Sequence, residues 1–128
     1  GLQYISGGVG SVGTMNGNAG QFIYSGGTGM INELNSYQQY VNEGCTGIIN
    51  IMNTTGTQWI SANAVGTVVT LKSGTQLVDD GGTGTIITLD NHDGAGGQIV
   101  YSNAGRRAVC IQGRQRHGSR YERRNTDR

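Results

Sequence analysis

Few side chains in this sequence could do bond-making or metal chemistry. Cys45 and Cys110 are its 2 cysteines, and His92 and His117 its 2 histidines. The thiols are far apart and lack the short spacing of a metal-binding pair. Either they form one disulfide that pins the last apolar run to the segment around residue 45, or they are two buried thiols acting as small apolar side chains. His92 lies in Asp90-Asn91-His92-Asp93, a polar group in a glycine-rich stretch. A hard cation wants about six or more oxygens, and the spacing matches no calcium loop, so a solvated turn is the better account. The sequence holds no G-x-S-x-G, no H-E-x-x-H and no phosphate loop ending in Lys-Ser/Thr. Gly7-Gly8-Val9-Gly10 and Gly26-Gly27-Thr28-Gly29 have the glycines of a phosphate cradle without its lysine, and read as turns. The acids sit mostly in turns, away from apolar strands where burial would tune their titration. The expectation is a protein that is no enzyme and takes no metal or cofactor.

The arginines are the other chemically pointed group. Residues 1–104 carry Lys72 against Glu33, Glu43, Asp79, Asp80, Asp90 and Asp93. The rest of the chain carries Arg106, Arg107, Arg114, Arg116, Arg120, Arg123, Arg124 and Arg128 against Glu122 and Asp127. Guanidinium forks bind phosphates and carboxylates in two-point fashion, and Tyr121 among them could stack on a base or an arginine. Two partners fit such an arm. One is nucleic acid, and the other is a neighbouring subunit that offers the Asp79-Asp80 and Asp90-Asp93 turns. After Ile111 the only apolar side chain is Tyr121, too little to offset the entropy of ordering. Residues 1–111 therefore read as a body and 112–128 as a basic arm.

Composition limits what the body can be. The chain has 128 residues, 24 Gly and no Pro, with 34% apolar and 13% charged residues. That length gives one domain or one module of an assembly. The absence of proline excludes collagen and polyproline segments, and the low charge argues against a charged disordered chain. No apolar run is long enough for a membrane helix, and no signal peptide pattern is present. A first residue of Gly, where Met would begin a nascent chain, is what a processed or trimmed chain would show.

An internal repeat says how the body is built. Gly66-Thr67-Val68-Val69-Thr70-Leu71 recurs as Gly84-Thr85-Ile86-Ile87-Thr88-Leu89. A second apolar run led by Gln follows each, as Gly74-Thr75-Gln76-Leu77-Val78 and Gly97-Gln98-Ile99-Val100-Tyr101. Upstream, Ile48 to Ile51 with Gly56 to Ile60 repeats the unit, and Gly20 to Tyr24 ends a weaker copy. β-Branched runs bounded by Gly and Asn clusters are strand signals. Paired runs predict hairpins in a β-sandwich or jelly roll, and a period near 20 residues also fits a β-solenoid. Val69 and Leu71 should share one strand face with Val68 opposite, leaving both faces partly apolar. Met30, Leu34, Tyr37 and Val41 fall at helical spacing, which predicts one short helix near 30–43 closed by Gly44. Trp59 occupies the place of Leu77 and Ile99 in the repeat, which predicts a core or interface position. Otherwise Trp59 and Tyr4, Tyr24 and Tyr101 would form a carbohydrate-binding platform.

Glycine-, Thr- and Asn-rich repeats such as GTVVTLKSGTQLV and GTIITLDNHDGAGGQIVY resemble those of tailed-bacteriophage virion proteins, especially fibre, tail and capsid-decoration proteins. The resemblance spans roughly Thr46 to Cys110 and is one of texture, carrying over no functional residue. It implies a small, symmetric, often trimeric, non-catalytic β protein in a virion, meeting its own copies and neighbouring subunits. A secreted prokaryotic filament or adhesin subunit has the same texture, so the expected location is a virion or the extracellular space.

Overall fold

The computed structural model describes residues 2–53, 55–90, 96–102 and 107–112, with residues 96, 102 and 107–112 described by their backbone alone. The chain is all-β and winds as a parallel β-solenoid of about five coils. The first coil holds β1 (Leu2–Ser6) and β2 (Val9–Met15), and the second β3 (Gly20–Tyr24) and β4 (Thr28–Leu34). The third holds β5 (Gln38–Val41) and β6 (Thr46–Met52), and the fourth β7 (Thr57–Ile60) and β8 (Val65–Leu71). The fifth holds β9 (Gly74–Val78) and β10 (Thr83–Leu89), after which come β11 (Gly96–Ser102) and β12 (Arg107–Gln112). Odd strands β1 to β11 stack in one sheet, which β12 extends, and even strands β2 to β10 stack in the other. The two are called here sheet A and sheet B.

The repeat is therefore a coil repeat. Gly66 pairs with Gly84 and Val68 with Ile86 as parallel neighbours, so the two copies lie directly on each other. The hairpin expectation fails for the body, where only β11 with β12 is antiparallel among the described strands. The sandwich and jelly-roll alternatives fall with it. Coils and hairpins share the same local signals, strand runs with glycine turns. What separates them is that like residues stack only in the coil.

The helix near 30–43 is also absent. Those residues form β4, a turn at 35–37 and β5. Tyr37 has φ of 73°, in the left-handed region, which breaks any helix there. A lone helix of that length is marginal in water. Ladder pairing of Thr28–Leu34 with both β2 and β6 wins instead.

Inside, the packing follows a fixed pattern. Sheet A points Gln and then Ile or Val inward, as Gln39-Val41 and Gln58-Ile60 do. Sheet B points in a Gly, a β-branched residue and a Leu or Met, as Gly66, Val68 and Leu71 do. The last two are three residues apart, so Val69 and Thr70 both lie on the outer side. This corrects the expectation that Val68 and Leu71 sit on opposite faces. The apolar interior divides into two clusters, one around Ile31, Leu34, Ile49, Met52 and Leu71, the other around Ile23, Val41, Ile60 and Val78. Each fully buried aliphatic side chain contributes about 1.5–3 kcal/mol.

The glutamines belong to neither cluster. Gln21, Gln39, Gln58 and Gln76 are completely buried. Each donates through Nε2 to Oε1 of the glutamine one coil earlier, at 2.5 Å for Gln21 to Gln3 and 2.7 Å for Gln39 to Gln21. The line continues through Gln58 to Gln39 at 2.7 Å, Gln76 to Gln58 at 2.8 Å and Gln98 to Gln76 at 2.5 Å. A second donation crosses to sheet B, as from Gln58 Nε2 to the carbonyl of Gly47 at 3.2 Å. The glycine opposite is a spatial necessity: a Cβ on Gly47 would lie 2.6 Å from Gln39 Oε1. The inward Gly column makes the slot that the amide line fills.

Candidate functional site

The outer face of sheet A collects the aromatic residues. Strand alternation turns Tyr4, Phe22, Tyr24, Tyr40, Trp59 and Tyr101 outward, because their neighbours Ile5, Gln21, Ile23, Val41, Ile60 and Val100 point in. Register aligns Tyr4 with Phe22, Phe22 with Tyr40 and Tyr40 with Trp59, followed by Leu77 and Ile99. The four rings form one offset stack, with centroids 5.3, 5.7 and 5.6 Å apart and planes within 24° of parallel. Such pairs add about 0.5–1.5 kcal/mol each beyond area burial.

Tyr37 completes the group from the corner before β5. Its left-handed backbone lays the ring over Gly20, where a Cβ would meet Tyr37 Cδ2 and Cε2 and Phe22 Cε1 at 3.1 Å. A bulky residue at φ of 73° is strained, and the covering of Gly20 is the contact that comes with it. All 7 aromatic residues among the described ones thus sit on or at the edge of this face, and the strands of sheet B contain none.

Much of the two margins of the face is uncharged. Beside the ring column run Gln38, Thr57, Thr75 and Gly97 on one side, and on the other Asn42 and Ser61 in line with the exposed Tyr24 and Tyr101. Asp79 is the one charged side chain that sheet A's outer columns carry among the described residues, and it lies in the exposed turn after β9. Sheet B's outer face differs in kind. It shows a groove lined by Ser11, Met30, Ile48, Asn32 and Asn50, with Asn50 Nδ2 donating to Asn32 Oδ1 at 3.0 Å.

Of the two positions the sequence allows Trp59, core or interface, the core one is corrected. Its equivalence to Leu77 and Ile99 is real, but all three lie on the outer side of sheet A. Trp59 is half-buried against Tyr40 and is no part of the interior. Cys45 is a free, buried thiol whose Sγ donates to the Glu43 carbonyl at 3.7 Å. Cys110 pairs with Ile99 on β12, four strand positions from β5, which ends just before Cys45. That separation is roughly 19 Å, far beyond the ~7 Å limit for a disulfide, so the proposed bond between them is excluded within one chain.

The remaining sites divide by position. Asp79 and Asp80 are exposed together at the corner between β9 and β10, and Asp90 follows β10 half-buried. Arg107 opens β12, while Asp93, Arg106, Arg114, Arg116, Arg120, Arg123, Arg124 and Arg128 lie outside the described residues. The docking of the arm on acidic turns therefore falls outside them too. No group of three or more His, Cys, Asp or Glu that could hold a metal ion occurs among the described residues. No helix among them is long and apolar enough to cross a membrane.

The glutamine line was the functional-scale feature that residue-by-residue reading missed. Glutamine is usually a surface residue, so its place at the head of each apolar run reads as a strand boundary. The signal was its recurrence at separations of 18, 18, 19 and 18 residues from Gln3 to Gln76. Comparison with known protein families, with curated proteins and with solved structures finds no match.

Proposed function

We propose that this chain is a non-enzymatic structural assembly protein, a rigid solenoid module of a virion component such as a fibre, tail or capsid-decoration subunit, that associates with its own copies. The observation that carries this reading is the unbroken, in-register stacking of like on like from coil to coil. Backbone ladders, the buried amide line and the ring stack all run along one axis, the arrangement that gives cross-β assemblies their stiffness. Such a body resists shear and bending without needing a large globular core. Imaging of the native particle tests it: copies should be found as ordered, repeated subunits of a fibre or shell. Chains found only free and single would overturn it.

A second reading, a carbohydrate-binding module of an extracellular adhesin, has the outward Trp59 and its neighbouring rings in its favour. Against it stands ring orientation. A sugar packs on an open aromatic face, whereas these rings turn their faces largely toward one another.

A further inference from the structure

We infer that the outer face of sheet A is a self-association surface whose occupant is the same face of a second copy of this chain. The inference rests on the assembly reading and says where the copies meet.

Four observations select that partner. The first is one-sidedness: the described aromatic residues gather on sheet A's outer side and are missing from the strands of sheet B. Tyr and Trp are the residues that dominate buried contact in protein interfaces. The second is charge. Around its rings the face carries Gln38, Asn42, Thr57, Ser61 and Thr75, and its one charged side chain among the described residues is Asp79, in the turn after β9. The middle of the face can therefore meet its own copy with no like charges opposed.

Relief is the third. The ring column is a ridge, and the Thr57-Thr75-Gly97 margin beside it is a shallow trough. A two-fold axis places the ridge of each copy in the trough of the other, as facing sheets interdigitate ~10 Å apart. Ridge and trough repeat with the same strand spacing, so the rungs from β7 to β11, where Trp59, Leu77 and Ile99 stand beside Thr57, Thr75 and Gly97, find equivalent seats. Toward β1 the Tyr37 ring over Gly20 fills the margin. A partner of unrelated fold has no such periodicity. The fourth is area. Six strands at ~4.8 Å and about five residues at ~3.3 Å give a face near 29 by 17 Å, or ~1,000 Å² for the pair. That reaches the threshold of a specific interface. The two-fold contact is closed, so it yields a defined pair without open-ended aggregation.

The test is sedimentation velocity of the full chain over a concentration series, in about 0.5 M salt so that contacts of the arginines are screened. The wild type should show a reversible pair. Tyr40→Arg should weaken it at least tenfold. Thr75→Arg, which leaves every ring in place, should do the same if circular dichroism shows the fold intact. Thr67→Arg, on sheet B's outer face, should leave the pair unchanged. A wild-type assembly that both face variants leave intact overturns this inference while the structural reading stands. A wild type that stays single at every concentration overturns both. A single wild-type chain whose Trp59 fluorescence responds to soluble β-glucan replaces both with the sugar-binding reading.

Discussion

Gln58 donates from Nε2 to Gln39 Oε1 at 2.7 Å, and its own Oε1 accepts from Gln76 Nε2 at 2.8 Å. Both neighbours are completely buried, so neither can turn to water if Gln58 is lost. Gln58→Leu keeps the volume, strips Gln39 Oε1 of its donor and takes one of three acceptors from Gln76 Nε2, which keeps the Gly66 and Thr85 carbonyls. Each orphaned buried group costs about 1–3 kcal/mol. Chemical denaturation should show a loss of about 1–3 kcal/mol, larger than for Gln3→Leu at the end of the line, where the one neighbour affected, Gln21 Nε2, keeps the Met30 carbonyl.

The glycines opposite are predicted to split by position. A Cβ on Gly66 would lie 2.8 Å from Gln58 Oε1 and 2.6 Å from Ile60 Cγ1. Gly66→Ala should cost about 1–3 kcal/mol by overpacking. Gly13, on the outer side of β2, has nothing within 4 Å of an added Cβ and no left-handed backbone, and Gly13→Ala should be tolerated. Gly44 has equally open space but φ of 79°, so Gly44→Ala should lose about 1 kcal/mol from strain alone. Thermal melts of the three variants check the order.

Trp59 and Ile60 are adjacent and point opposite ways. Ile60 is completely buried within its apolar cluster, while Trp59 rests half-exposed on Tyr40. Ile60→Ala should therefore cost about 2–5 kcal/mol, and Trp59→Ala less despite the larger side chain. Equal or reversed losses in the melts of the two variants would mean that Trp59 belongs to a core.

Cys45 should behave as an inert interior group. Its thiol is buried and bonded to the Glu43 carbonyl, so alkylation by iodoacetamide should await unfolding. Mass spectrometry of the native, unreduced chain should find no bond between Cys45 and Cys110.

How much of this was legible in the sequence follows from which signals are local. The strands around Val65–Leu71 and Thr83–Leu89 announced themselves through β-branched runs, and their likeness is the direct image of parallel stacking. Strand direction was not legible, since a glycine corner serves a hairpin and a coil equally well. The outward pair Val69-Thr70 broke strict alternation and made one-sided strands look two-sided. Met30, Leu34, Tyr37 and Val41 matched a helix by spacing, yet Met30 points out of sheet B and Val41 into the interior from sheet A. Trp59 was assigned to the right column and left open between core and interface, and the core alternative fails because the inward place at each rung was already taken by Gln and Ile or Val.

The solenoid depends on glutamine stacking on glutamine from coil to coil, and nuclear magnetic resonance reads that contact directly. In spectra edited on the side-chain amides, Gln21, Gln39, Gln58 and Gln76 should each show cross-peaks to the next glutamine in the line. Their Nε2 protons should resist exchange with water for hours, as buried and fully bonded groups do. Amides that exchange within minutes and show no contact between successive glutamines would contradict the solenoid, and with it the assembly face it carries.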